Sequence, residues 1–166
     1  MLTSETLRQA IIEILGIPEK YIVPLDEGWY VPTYDPEDKV GTWVGYRILT
    51  KRQISRAIRQ DKVFAKSLRV KFRLAFIGPQ AEELADSTLL WDDRKDVTKA
   101  FEKCDFQLNY NKRLQFSYPV ANGGLNDNLC WCVDFEAQGF YAQEANWPKW
   151  ELKEVSLGGN IITGGL

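Results

Sequence analysis

Hydrophobic and polar residues alternate most clearly over Leu68–Ile77, LRVKFRLAFI. Leu68, Val70, Phe72, Leu74 and Phe76 fall on one side, and Arg69, Lys71 and Arg73 on the other. A period of two predicts a β-strand with one face in a core. The strand runs into Gly78-Pro79 and then the acidic, alanine- and leucine-rich stretch PQAEELADSTLLW. Proline suits a helix start, and Glu82, Glu83 and Asp86 suit first turns, where the helix macrodipole is positive. A strand that feeds a helix through so short a turn is the expected centre of the fold.

The flanking patterns extend this picture. Leu7, Ala10, Ile11, Ile14 and Leu15 recur at helical spacing, with Ser4 as the expected N-cap and Gly16-Ile17-Pro18 as the stop. Tyr21–Pro24 reads as a short strand, and Trp43–Thr50 as a longer one. Between them, Leu25–Gly41 carries Pro32, Pro36, Trp29, Tyr30 and Tyr34 and reads as a long loop of the kind that serves interaction. Lys51–Lys66 is compatible with a strand or a short helix; the spacing of Arg52, Ile54, Arg56 and Ile58 favours a hairpin turning near Gln60–Lys62. The helical zone from Pro79 to about Lys103 holds two apolar stripes that are out of phase, so a break is expected around Asp92–Lys95.

Phe106, Leu108 and Tyr110 alternate, as do Leu114, Phe116 and Tyr118, with Asn111-Lys112 as a turn between two strands. The polar loop Ala121–Asn128 precedes a long strand, Leu129–Tyr141. Leu129, Trp131, Val133, Phe135 and Ala137 share one face of it; Cys130, Cys132, Asp134, Glu136 and Gln138 share the other. Ala142–Leu166, with Trp147, Trp150, a strand-like piece at Lys153–Leu157 and glycine-rich ends, reads as an arm. The expected fold is a single α+β domain over residues 1–141, with an extended C-terminal arm over 142–166. Its sheet is mostly antiparallel, with an N-terminal and a central helix on one face, in the manner of a ferredoxin-like βαββ core.

Composition narrows the chemistry. At 166 residues with 45% hydrophobic and 13% aromatic content, one well-packed domain is expected. A net charge of −2 argues against a protein that coats nucleic acid. The chain has no histidine, which removes the usual neutral-pH acid/base and the usual zinc ligand. Three cysteines, Cys104, Cys130 and Cys132, fit a reducing compartment better than a disulfide framework, and the plainer role is that of small buried apolar groups. The N-terminal MLTSETLRQA lacks signal-peptide features, and no apolar run reaches membrane-spanning length, so cytoplasmic synthesis without a membrane partner is expected.

Lys51–Arg73 carries nine basic residues against the single acid Asp61. Such density suits phosphate or an acidic protein partner, although a hairpin's solvated face looks the same. Nucleic-acid stacking needs aromatics on the basic face, whereas Phe72 and Phe76 point away from it. Asp92, Asp93 and Asp96 with Asp134 and Glu136 form the one carboxylate set suited to a divalent cation, yet no lysine stands at a nuclease-like offset. No histidine serves a Ser, Cys or Thr nucleophile, and Gly123-Gly124 and Gly158-Gly159 are not followed by Lys-Ser/Thr. No catalytic, cofactor-binding or metal-binding residue is therefore assigned, and no enzyme is expected.

The aromatic loop before WVGYRILT, the arrangement LRVKFRLAFIGPQAEELADSTLLW and the closing strand LCWCVDFEAQGF together resemble the tail terminator and neck (head–tail joining) proteins of tailed bacteriophages. The resemblance implies a virion protein that forms a closed ring, commonly a hexamer. Such a ring caps the tail tube and joins it to the head connector or adaptor, with genome DNA passing transiently. Its interface residues would be Arg52, Arg56, Arg59 and Lys62 of the basic hairpin, Trp29 and Tyr30 of the loop, and Trp147 and Trp150 of the arm. The alternative is a nucleic-acid-binding module that uses the hairpin 51–73. Opposite charges in Lys51–Arg73 and Glu82–Asp96 would pair between neighbouring subunits, so charge reversal at Arg56 and Arg59 is expected to impair ring assembly or attachment as read by sedimentation, and wild-type assembly in that variant would remove the pairing idea.

Overall fold

The computed structural model describes residues 2–25, 41–55, 58–60, 63–109, 112–119, 129–144, 155–157 and 160–162. In chain order the elements are α1 (Ser4–Leu15), β1 (Ile22–Pro24), β2 (Trp43–Gln53), β3 (Ile58–Gln60), β4 (Val63–Ile77), α2 (Ala81–Ser87), α3 (Lys95–Glu102), β5 (Phe106–Leu108), β6 (Leu114–Pro119), β7 (Leu129–Glu144), β8 (Val155–Leu157) and β9 (Asn160–Ile162). Seven strands form one mixed, mostly antiparallel sheet in the order β1-β2-β4-β7, with β5 and β6 both on the outer edge of β7 and β3 beside the start of β4. Only the β1–β2 pair is parallel within it. β8 and β9 pair as a separate antiparallel ribbon. The described domain is thus α+β, with three helices.

Helix α1 forms where the apolar stripe predicts it, but its N-cap is Thr3 rather than Ser4. The Thr3 hydroxyl accepts from the Thr6 backbone N–H at 3.1 Å, and the Thr6 hydroxyl accepts from the Thr3 N–H at 2.8 Å. This reciprocal pairing satisfies two N–H groups at once, so it wins over a Ser4 cap. Gly16 ends the helix in the left-handed region at φ 63°. The break in the helical zone occurs between α2 and α3, across the 3₁₀ turn Thr88–Leu90. Gln60 pairs with Val63, the register that a hairpin here requires, while Asp61 and Lys62 lie outside the described residues.

A second expectation fails. β5 and β6 do not pair with each other across a turn at Asn111-Lys112. Both run antiparallel to β7, β5 against 137–139 and β6 against 129–134, so they are two pieces of one interrupted edge. Alternation reports which face a residue occupies, not which strand lies beside it. β7 continues to Glu144, opposite Val63, so residues 142–144 belong to the main sheet.

The helices cover one face of the sheet. There Val70, Phe72, Leu74 and Phe76 of β4 and Val133 of β7 are fully buried with Leu7, Ile11, Val97 and Phe101. A run of stacked rings joins the layers: Phe101 to Phe72 at 5.7 Å, Phe72 to Phe135 at 5.1 Å, and Phe135 to Trp91 at 5.1 Å. Phe72 lies within that run, touching both α3 and β7. At the β4 exit, Gly78 has φ 129°, and a Cβ there would lie 2.3 Å from the Gly41 carbonyl oxygen, so only glycine permits this crossing. Phe72→Ala is expected to cost about 3–5 kcal/mol of unfolding free energy through lost contacts and a residual cavity, measured by urea denaturation.

Candidate interaction surface

The sheet face opposite the helices carries the charges. Strand alternation places Arg69, Lys71 and Arg73 of β4 there, level with Gln138, Glu136 and Asp134 of β7. On β2, Arg47 lies opposite Arg73 and Arg52 opposite Arg69. Like charges directly across an antiparallel pair repel, so each couple needs an anion nearby. β7 supplies one for β4. Asp134 takes Arg73 in a forked pair, accepting from Nε at 2.6 Å and from Nη2 at 2.9 Å. That hydrogen bonding raises the Arg73 pKa further above its ordinary value, with burial opposing it. The same guanidinium lies 4.9 Å from the centre of the Phe116 ring.

Glu136 is almost fully buried on this face. Arg69 Nε approaches its Oε1 at 3.2 Å as an ion pair without hydrogen-bond alignment, and Asn109 Nδ2 donates to the same oxygen at 3.3 Å. Asp134 and Glu136 are thereby engaged. Arg47 and Arg52 on β2 and Lys71 on β4 are exposed and form no ion pair with a carboxylate among the described residues. The result is a basic stripe along the β2 side of an open sheet face. Leu114, Tyr118 and Phe140, all 44% exposed or more, dot the β6–β7 side.

The end of this face near Ile77 is apolar. Cys130 and Cys132 lie there fully buried with Ala75 and Ile77, packed under Leu25 and Phe116. Their Sγ atoms are 3.7 Å apart, and both thiols are free. The shared hydrogen bond and burial hold the Cys132 thiol above its ordinary range. Burial likewise pushes up the Tyr118 phenol beside them. The helical layer on the opposite side of the sheet is acidic over α2 and the turn after it, where Glu82, Glu83, Asp92 and Asp93 are exposed; on α3 Lys95 and Lys99 are exposed too, and Asp96 is paired with Arg94.

Of the residues expected at an interface, Arg52 stands on the basic stripe. Arg59 lies in β3 opposite Phe64, and its side chain falls outside the described residues. Arg56, Lys62, Trp29, Tyr30, Trp147 and Trp150 also fall outside them. Arg47 was missed because it precedes the basic run 51–73, although the alternation Val44/Tyr46 against Arg47 marks its face. The carboxylate set considered for a divalent cation is split by the sheet, with Asp134 and Glu136 on the open face and Asp92, Asp93 and Asp96 in the helical layer. Among the described residues no group of three or more Cys, Asp or Glu side chains is arranged to hold a metal. Nor is any described helix long and apolar enough to cross a membrane.

No protein-family model matches this sequence, and comparison with curated proteins returns no match. Asp134→Ala strands the Arg73 guanidinium beside Arg47. The expected loss is about 1–2 kcal/mol in a denaturation experiment, below the ~3–5 of a fully buried pair because Arg73 is partly solvated. A double-mutant cycle with Arg73→Ala is expected to assign most of that loss to the pair.

Proposed function

We propose that this chain is an assembly protein: a ring-forming tail terminator or neck component of a tailed phage, which caps the tail tube and joins it to the head connector. The observation that supports it best is the separation of charge across one domain. Arg47, Arg52 and Lys71 stand on the open sheet face, and Glu82, Glu83, Asp92 and Asp93 on the helical side. Complementary patches on opposite sides of a subunit match head to tail. A head-to-tail contact is heterologous, and it closes into a ring when the rotation per subunit divides a full turn.

In this proposal a hexamer of such contacts forms the ring, and genome DNA passes through its lumen. Connector or adaptor and tube proteins meet the two rims. Charge pairing across the interface sets register and partner choice more than affinity. The segment β4 to β7 serves as the ferredoxin-like βαββ core, with α1 and β1–β2 added in front. The β2 cations, which have no ion-pair partner among the described residues, are the main contact group toward the neighbour's acidic helices.

A second reading, a nucleic-acid-binding module, draws on one observation: Phe140 and Tyr118 share the open face with the arginines, so stacking groups and cations lie on the same surface. The net negative charge and the acidic opposite side favour assembly. The Arg47→Glu/Arg52→Glu variant is expected to weaken self-association by about tenfold or more at low salt, read by mass photometry. Adding Glu82→Lys/Glu83→Lys is expected to restore it. A monomer at every salt and protein concentration that retards single-stranded DNA would overturn the assembly proposal in favour of the second reading.

A further inference from the structure

We propose that Cys130 and Cys132 form a two-thiolate site for a single soft monovalent cation of the copper(I)/silver(I) class. The site follows from strand geometry. Residues two apart in β7 point to the same face, and the two sulfurs turn toward each other to 3.7 Å. With thiolate–metal bonds of about 2.3 Å, a linear S–M–S unit spans about 4.6 Å, so the sulfurs need to part by roughly 0.9 Å. Rotation of the two side chains supplies that without moving the strand.

The surroundings select the ion. Ala75, Ile77, Leu25 and Phe116 wall the thiols, and the oxygen beside them is the Tyr118 phenol, which burial holds in its protonated, weakly ligating form. The chain has no histidine, and among the described residues no third Cys, Asp or Glu joins the pair. Two thiols and one protonated phenol leave four-coordinate zinc short of a donor set, and they offer hard cations no carboxylate. Soft thiolates that offer two positions suit a d¹⁰ monovalent ion. Binding is an exchange without electron transfer: the cation displaces one proton from each thiol to solvent, and the bis-thiolate complex carries one negative charge. Arg73 stands one residue pair away, since Ala75 faces Cys132 and Arg73 faces Asp134. Its guanidinium, already held beside the Phe116 ring, lies on the side where that charge develops.

Entry comes from the strand end. Cys130 is the second residue of β7, next to the terminal pair Pro119↔Leu129, and Leu129 and Tyr118 beside it are exposed. Local fraying of that last pair opens the site without disturbing the rest of the sheet. Cys104 is an internal control: it lies between α1 and α3, its thiol directed to the Thr6 and Ala100 carbonyls.

The test uses the full chain, reduced and anaerobic, with copper(I) supplied on a chromophoric bicinchoninate chelator. The expected result is one ion per chain by native mass spectrometry, with iodoacetamide labelling of Cys130 and Cys132 slowed about tenfold or more and that of Cys104 unchanged. Cys130→Ser and Cys132→Ser are each expected to lose about a hundredfold in affinity, and Cys104→Ser none. Wild-type protein that leaves all copper on the chelator would overturn the proposal, as would an ion bound without protection of the two thiols. The labelling pattern is read on wild-type protein, so the outcome does not hang on the folding of any variant.

Discussion

The pairing of β4 with β7 fixes both faces of this domain. It runs from Val63↔Glu144 to Ile77↔Cys130 without a shift in register. Because side chains alternate with a period of two, that one register decides both faces together. On the helical side it sets Phe72 against Phe135, which continues the ring stack from Phe101 to Trp91. On the open side it sets Arg73 against Asp134 and Ala75 against Cys132. A slip by one residue would bury the charges and expose the aromatic core, a penalty far beyond the few kcal/mol that any single contact contributes.

The same pairing creates the imbalance on which the proposed assembly rests. Among the described residues three strands bring charge to the open face, the acids come from β7, and β7 lies next to β4. Asp134 and Glu136 therefore answer Arg73 and Arg69, while β2, one strand further away, keeps Arg47 and Arg52 without an ion-pair partner among the described residues. A bulge in β2 adds to this. The register shifts between Ile48 and Thr50, so Leu49 is the extra residue and the chain beyond it changes face. Arg52 meets Arg69 on the open side because of that shift. Strict alternation from Tyr46 would have turned it toward the helices.

The two ends of the open face have different chemistry for the same reason. Toward Ile77 the β4 residues are Ala75 and Ile77, and the space above them is closed by Leu25, which lies so near Gly45 that a Cβ there would come within 2.4 Å of it. The cysteines are thus enclosed among apolar groups, whereas the arginines a few residues along the same strands stay wet. One continuous sheet surface offers a charged contact area and a dry thiol pair, separated by a few residue pairs.

The local elements and their faces are legible in the chain alone. The alternation in LRVKFRLAFI placed Phe72 and Phe76 inward, the two stripes of 79–103 marked two helices with a break, and LCWCVDFEAQGF separated Val133 and Phe135 from Cys130 and Cys132. These features depend on neighbours within a few residues, which backbone periodicity reports directly. Which strands adjoin was settled by long-range packing. It joined β5 and β6 along one edge of β7 in place of a hairpin, set Asp134 and Glu136 against arginines some 60 residues earlier, and moved Arg52 to the open face through a one-residue bulge. Strand order, register and bulges arise from contacts between distant segments competing for the same edges, and no period along the chain encodes that competition.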